Sequence, residues 1–173
     1  DTFAYRSCQS GDLQVFEVDH PTMQAWKRQH LETMGIAVPA HCTFAPVDFE
    51  HQTLAEGLKE AGFVADQPAF FSWLGVTMYL TAEAIDATLA LVASLRAGSG
   101  IVFDYLTTPT LLSPPALRAF TDLARRVAAI GEPFQTFFDP EGLAQTLGTL
   151  GFREVADTTP TAMDARYFHD RSD

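Results

Sequence analysis

Apolar and polar residues alternate along this chain with two different periods, and the switching between them predicts strands followed by helices. The run LQVFEVD (13–19) has the short apolar pattern of a strand. From about Pro21, the spacing of Met23, Trp26, Leu31 and Met34 lays apolar side chains near one face of a helix, which Gly35 stops. TFAPVDF (43–49) reads as a second, weaker strand, since proline is tolerated only near a sheet edge or strand end. Leu54, Leu58 and Ala61 mark a short helix ending at Gly62. AFFSWLGV (69–76) is a continuous apolar run, as a strand covered on both faces requires. Thr81 then caps a helix carrying Ile85, Leu89, Val92 and Leu95, and Gly98 ends it.

The second half continues the alternation. GIVFDYL (100–106) is a strand and TTPTLLSPP a loop, after which Ser113 and Pro114 start a helix through Leu117, Phe120, Leu123, Val127 and Ile130. Asp139 and Pro140 repeat that start signal for a helix with Leu143, Leu147 and Leu150, closed by Gly151. FREVADT (152–158) and ARYFH (165–169) read as two last strands with no helix between them, which predicts an antiparallel hairpin at one sheet edge. The order as a whole is that of an α/β fold with a mostly parallel sheet. Neither an internal repeat nor a linker interrupts it, so residues 1–173 read as a single domain.

Charge narrows the partners. Eleven Lys+Arg against 22 Asp+Glu give a net charge of −11, so a polyanion is repelled and nucleic acid is not expected as a partner. The nearest thing to a basic patch is Arg125 with Arg126, inside an otherwise apolar helix pattern. Cys8 and Cys42 have neither the density of a disulfide scaffold nor CxxC spacing, which fits a reducing compartment. With no run of about 18 apolar residues and no signal-peptide pattern, the expectation is a cytoplasmic protein without a membrane partner. His20, His30, His41, His51 and His169 lack HxxxH or HExxH spacing, so no metal is expected. The absence of GxSxG argues against an α/β hydrolase.

In open α/β sheets, ligands bind beyond the carboxyl ends of the strands. A nucleotide cofactor also needs a glycine-rich turn between a strand and a helix. RAGSG (96–100) and QSGD (9–12) precede strands and LGTLGF (147–152) closes a helix, so all three read as caps and turns. The chain opens instead at DTFAYR (1–6), as if a first strand and its turn had been left off.

DTFAYR (1–6), VFEVDHP (15–21), PVDF (46–49) and FFSWLGVTMYLT (70–81), in that order, resemble successive motifs of the leucine carboxyl methyltransferase family. They most resemble its bacterial branch of S-adenosylmethionine-dependent methyltransferases. From Leu106 onward only FDPEGLAQTLGTLGF (138–152) and the closing RYFHDRSD look similar. The resemblance implies a Rossmann-like class I methyltransferase fold with helices on both faces of the sheet. In that family, DT.AYR follows the glycine-rich turn directly, which places the first strand and turn before Asp1 and puts Asp1 among the cofactor contacts.

The same comparison implies that Asp19 takes the ribose hydroxyls of S-adenosylmethionine, and a carboxylate can accept from two neighbouring hydroxyls. Asp is also a favoured helix N-cap, but Pro21 prefers the first helical position, making His20 the cap and leaving Asp19 one step outside. Glu17 shares a strand face with Asp19, one pleat deeper, where a buried charge needs a partner. Arg6 is the candidate, making Glu17 a structural brace.

Asp48 and Phe49 fall where the family places an acidic residue for the adenine amino group and an apolar neighbour against its ring. A strand-end cap beside a core phenylalanine is the competing reading. Relatives carry an acidic residue just before GxxxYL; here Leu74 stands there, so that contact does not transfer. Gly75 either lets backbone approach the cofactor or serves tight strand packing. Tyr79 and Tyr105, the latter beside Asp104, either orient an acceptor or close the core. The expected activity is methyl transfer to oxygen of a small or medium acceptor. The alternatives are a dinucleotide oxidoreductase and a non-catalytic fragment. The sequence names neither the acceptor, a small molecule or a protein carboxylate, nor an oligomeric state.

Overall fold

The computed structural model describes residues 2–6 and 13–168. Asp1, Cys8, His169 and the QSGD segment therefore lie outside the described residues. Two compact units divide the chain, residues 1–104 with 134–136 and residues 105–133 with 137–173.

The first unit has the α/β architecture that the periodicity predicts. After a short helix α1 (Phe3–Arg6), strand β1 (Val15–Asp19) pairs in parallel with β2 (Cys42–Pro46), Val15 opposite Cys42 and Asp19 opposite Pro46. Strand β3 (Phe70–Trp73) pairs in parallel with β4 (Gly100–Phe103). Parallel neighbours need a crossover. Helix α2 (Pro21–Thr33) links β1 to β2, α3 (Leu54–Glu60) links β2 to β3, and α4 (Ala82–Ser94) links β3 to β4.

One face of β1 and β2 carries the core. Ala45 and the α3 residues Leu54 and Leu58 are buried, and Phe16, Val18, Phe63, Phe71 and Leu91 pack around them. Phe63 sits edge-on to Phe16 at 5.5 Å and to Phe71 at 6.3 Å, geometries that aromatic quadrupoles favour. Thr53 and Glu56 close a reciprocal capping box at the start of α3, and Thr81 caps α4. Ile85 and Leu89 of α4 are fully buried.

Helix α2 departs from the pattern. Met23, Trp26 and Met34 face outward, Trp26 57% exposed and stacked on His30 at 4.9 Å. The sheet side of α2 carries Gln24, Lys27 and Arg28 instead. Buried carbonyls need donors, and Gln24 Nε2 donates to Glu17 O at 2.6 Å and Ala45 O at 3.1 Å. Arg28 lies over the Phe44 ring at 4.4 Å. Helical spacing of apolar residues therefore marked the outer face here, because the inner face is occupied by polar groups that serve the strands.

In the second unit, α5 (Pro114–Ala129) and α6 (Pro140–Leu150) form at the two proline start signals, and Leu143 and Leu147 are buried. Phe120 meets Phe137 edge-on at 5.7 Å. The predicted C-terminal hairpin is not formed. Residues 152–159 make no strand, and Pro160–Tyr167 is a helix, α7. The Thr159 side chain accepts the Ala162 N–H and Pro160 takes the first helical position, so this start signal outweighs the strand character of ARYFH. Tyr105 donates to Asp157 Oδ2 at 3.0 Å, and burial, then this carboxylate, push its pKa up from 10.0 to about 12.

Two measurements test this packing. A Cβ on Gly57 would run into Val47 Cγ2, so Gly57→Ala lowers stability by roughly 1–2 kcal/mol, despite a helix-propensity gain of up to about 1 kcal/mol. Gly148→Ala on α6, where a Cβ meets nothing within 4 Å, gains stability instead; denaturant midpoints separate the two. In a spectrophotometric titration, Tyr105 ionises near 12 and Asp157→Asn brings that step down. Because the folded pKa is raised, the neutral phenol's contribution to stability is complete below the ordinary value of 10.0 and lost as pH rises through about 12.

Candidate functional site

Parallel pairing of β1 with β2 brings their carboxyl ends to a common rim, which carries Asp19, the last residue of β1, with His20 on one side and Asp48 and Phe49 on the other. The Val47 N–H donates to Asp19 O at 2.9 Å, so the ladder runs to the last residue of β1. His20 is the N-cap of α2, its Nδ1 accepting the Thr22 N–H at 3.2 Å, with Pro21 at the first helical position. Asp19 is thereby left outside the cap, as the proline implies. It is exposed, one carboxylate oxygen accepting the His20 N–H at 2.8 Å and the other holding no partner among the described residues.

Asp48 is more heavily engaged. Its Oδ1 accepts the Glu50 N–H at 3.0 Å, and its Oδ2 lies 2.9 Å from His51 Nδ1 and 3.7 Å from His20 Nε2. The Glu50 N–H first, and His51 after it, hold the Asp48 carboxyl below its ordinary value. Phe49 packs against the Ala45, Leu54 and Leu58 core while remaining half-exposed. Both readings of the pair thus have a physical basis: Asp48 closes a turn, and Phe49 is only partly covered by the core. Phe49 also lines a groove of about 560 Å³ between the start of α3 and the length of α4.

Glu17 has a different partner from the one its sequence neighbourhood suggested. Lys27 of α2, rather than Arg6, pairs with Glu17 Oε2. The reason is helical geometry: Lys27 projects from the sheet-facing side of α2 directly over the Glu17 face of β1. Only 10% of the Glu17 side chain is exposed, and its Oε1 and the Tyr5 hydroxyl are buried with no hydrogen-bond partner among the described residues. Burial, and then the neighbouring Glu17, raise the Tyr5 pKa. Lys27 Nζ lies 5.5 Å from the Tyr5 ring centroid, so the brace is a three-residue arrangement.

At the carboxyl end of the other strand pair, Gly75 has φ +73°, a conformation that L side chains rarely adopt, and its N–H donates to Asp104 Oδ1 at 2.7 Å. Thr77, fully buried, donates to Asp104 O at 2.6 Å. Asp104 therefore ties the β3 and β4 termini together. Tyr79 packs on Phe134 with ring centroids 5.6 Å apart. Asp1 lies outside the described residues.

Sequence reasoning missed Lys27, Gln24 and His51. Lys27 and Gln24 sit on the polar side of α2, which periodicity assigned to solvent. His51 was visible only as the spacing Asp48-x-Glu50-His51, whose ligand-capable atoms lie within 4.8 Å of one another on an exposed turn.

Comparison with known proteins adds a second line. The leucine carboxyl methyltransferase family model matches residues 1–93, which include Asp19, His20, Asp48, Phe49 and Gly75. A Bacillus subtilis (strain 168) protein named "Putative S-adenosyl-L-methionine-dependent methyltransferase YktD" is 31% identical over 175 residues, covering 100% of this chain and 57% of its own length. Relatives named "Putative S-adenosyl-L-methionine-dependent methyltransferase" occur in Mycolicibacterium gilvum (strain PYR-GCK), 28% identical over 171 residues, and Mycobacterium avium (strain 104), 31% over 120. They are matched over 97% and 69% of this chain, and over 56% and 40% of their own lengths. The chain thus spans little more than half, or less, of these curated relatives. On a family model that covers more than half its residues and the whole β1–β2 rim, this chain belongs to the leucine carboxyl methyltransferase family.

Proposed function

We propose that this chain supplies the nucleoside-binding part of an S-adenosylmethionine site in a methyltransferase that acts on an oxygen of a small or medium-sized acceptor. The observation that carries the reading is the β1–β2 rim. Asp19 has one unspent carboxylate oxygen, matched to ribose hydroxyl donors, and Asp48 and Phe49 follow the neighbouring strand with an acceptor and a partly exposed ring for a base. The names of the relatives support the same cofactor.

A further parallel strand between β1 and β3 belongs to the proposal. Lys27 and Arg28 put α2 on the Glu17 and Phe44 face of its sheet, whereas α3 and α4 share the opposite face through Leu58, Leu91 and Phe71. Right-handed crossovers on those faces give the order β2, β1, β3, β4, with the unpaired edges of β1 and β3 turned toward each other. Phe70, 72% exposed, and Val102 lie on the bare side of the β3–β4 pair. An added strand would pair both edges and deliver a glycine-rich turn to the rim, where backbone N–H groups could hold the charged end of the cofactor. Asp1 is proposed as a contact beside that turn, and Gly75, with no side chain, as backbone on the opposite wall. Together these parts would make one methyltransferase domain.

When bound, S-adenosylmethionine supplies a methyl group already activated by its sulfonium. The chain's own residues bind and orient: Asp19 holds the sugar, Asp48 and Phe49 the base, and the Glu17–Lys27 pair fixes β1 beneath them. Alignment of acceptor and donor is then the main catalytic contribution.

Isothermal calorimetry tests the reading. Residues 1–173 alone bind S-adenosylmethionine too weakly to give calorimetric heat, and the same chain extended at its N-terminus by a strand and glycine-rich turn binds it measurably. In the extended chain, Asp19→Ala weakens affinity by roughly tenfold or more, the scale of hydrogen bonds to a charged acceptor. No heat from the extended chain, or binding of NAD in preference, removes the methyltransferase reading. Unchanged affinity in Asp19→Ala removes that residue's role alone.

A further inference from the structure

His20 is placed to do more than cap a helix. Its Nδ1 accepts the Thr22 N–H at 3.2 Å, and in a neutral imidazole the nitrogen that accepts is not the one that carries the proton. The hydrogen-bond network therefore assigns the proton to Nε2, a donor. That nitrogen lies 3.7 Å from Asp48 Oδ2, beyond hydrogen-bond reach. The rim thus presents a donor and an acceptor side by side, neither consumed by the other. His51 Nδ1, 2.9 Å from the same Asp48 oxygen, and the Glu50 N–H, 3.0 Å from the other, hold the carboxylate, so its orientation does not depend on His20.

A purine edge matches such a pair only in one sense. Adenine sets an amino N–H donor beside a ring-nitrogen acceptor, the complement of Asp48 Oδ2 and His20 Nε2–H. Hypoxanthine reverses both, placing a carbonyl oxygen against the carboxylate and a ring N–H against the imidazole N–H. Sites built to hydrogen-bond a group reject analogues that leave their polar atoms unpaired.

We propose that His20 reads the base of the bound nucleoside together with Asp48, and so is a specificity-determining residue for adenine over hypoxanthine. The assignment rests on the reading of Asp48 as the base-binding carboxylate. It also explains why an N-cap position usually filled by Ser, Thr, Asp or Asn holds a histidine: Ser, Thr and Asp keep no N–H beyond the capping oxygen, and the shorter Asn amide reaches less far than an imidazole toward the neighbouring strand's carboxylate.

The test uses residues 1–173 as they stand, since His20, Asp48 and Phe49 are all in this chain, with 5′-methylthioadenosine and its inosine counterpart as probes. Ligand-observed NMR titration reads binding up to the millimolar range. The wild-type chain prefers the adenine nucleoside. His20→Ser, which retains a capping hydroxyl but removes the distal donor, cuts that preference by roughly tenfold, the scale of one hydrogen bond. His20→Gln, whose amide extends to a similar distance, restores much of it. An unchanged preference in His20→Ser, alongside its loss in Asp48→Asn, overturns the role of His20 and leaves the reading of Asp48 standing. Failure of the wild-type chain to bind either nucleoside overturns the base-binding reading and the His20 assignment with it.

Discussion

Parallel pairing of β1 with β2 is the constraint on which the rest of the site depends. Its register sets Asp19 opposite Pro46, and the Val47 N–H to Asp19 O bond extends it to the strand ends. Two carboxylates far apart in the chain are thereby delivered to one rim, Asp19 on the last residue of the ladder and Asp48 just beyond it. The register is itself protected from both faces. Below, Phe16, Val18 and Ala45 are held by α3; above, Gln24 bridges carbonyls of both strands while Lys27 neutralises Glu17. A one-residue slip would turn Glu17 into the apolar layer and Phe16 onto Lys27, so the polar roof and the apolar floor enforce the same pairing.

The α2 roof is unusual in that its polar side faces inward. Burying Lys27 against a carboxylate and two aromatic rings is tolerable because the charge is paired and its stem lies on apolar surface. The arrangement leaves Glu17 Oε1 and the Tyr5 hydroxyl without a hydrogen-bond partner among the described residues. Such atoms are rare in a finished core, and they stand directly beneath the rim where the nucleoside is proposed to bind. Met23, Trp26 and Met34 are correspondingly left outside.

Much of this was legible in the sequence. Strands β1, β3 and β4 fall within the expected segments and β2 begins one residue before its own, at Cys42, while Pro21 correctly sets His20 as cap with Asp19 outside it. What was not legible depended on tertiary information. Lys27 replaced Arg6 as the partner of Glu17 because ion pairing is decided by which helix face lies over the strand, not by proximity in sequence. The stripe of Met23, Trp26 and Met34 has helical spacing, but spacing cannot say which face is inside when the strands below need donors. At the C-terminus, Thr159 and Pro160 were read as a connection, yet a cap followed by proline is a helix start, and α7 forms there. The relationship of Asp48 to His51 and His20 required the turn after β2 to be folded before the two imidazoles could converge on one oxygen.

The account stands most directly on the claim that the β1–β2 rim is where the nucleoside binds. Protein-observed 1H–15N spectra of the chain titrated with S-adenosylhomocysteine test it without relying on turnover or on any substitution. Shifts concentrated at Asp19, His20, Asp48, Phe49 and their immediate neighbours are the predicted result. Shifts confined to the α3–α4 groove away from Phe49, or to α5 to α7, would contradict it.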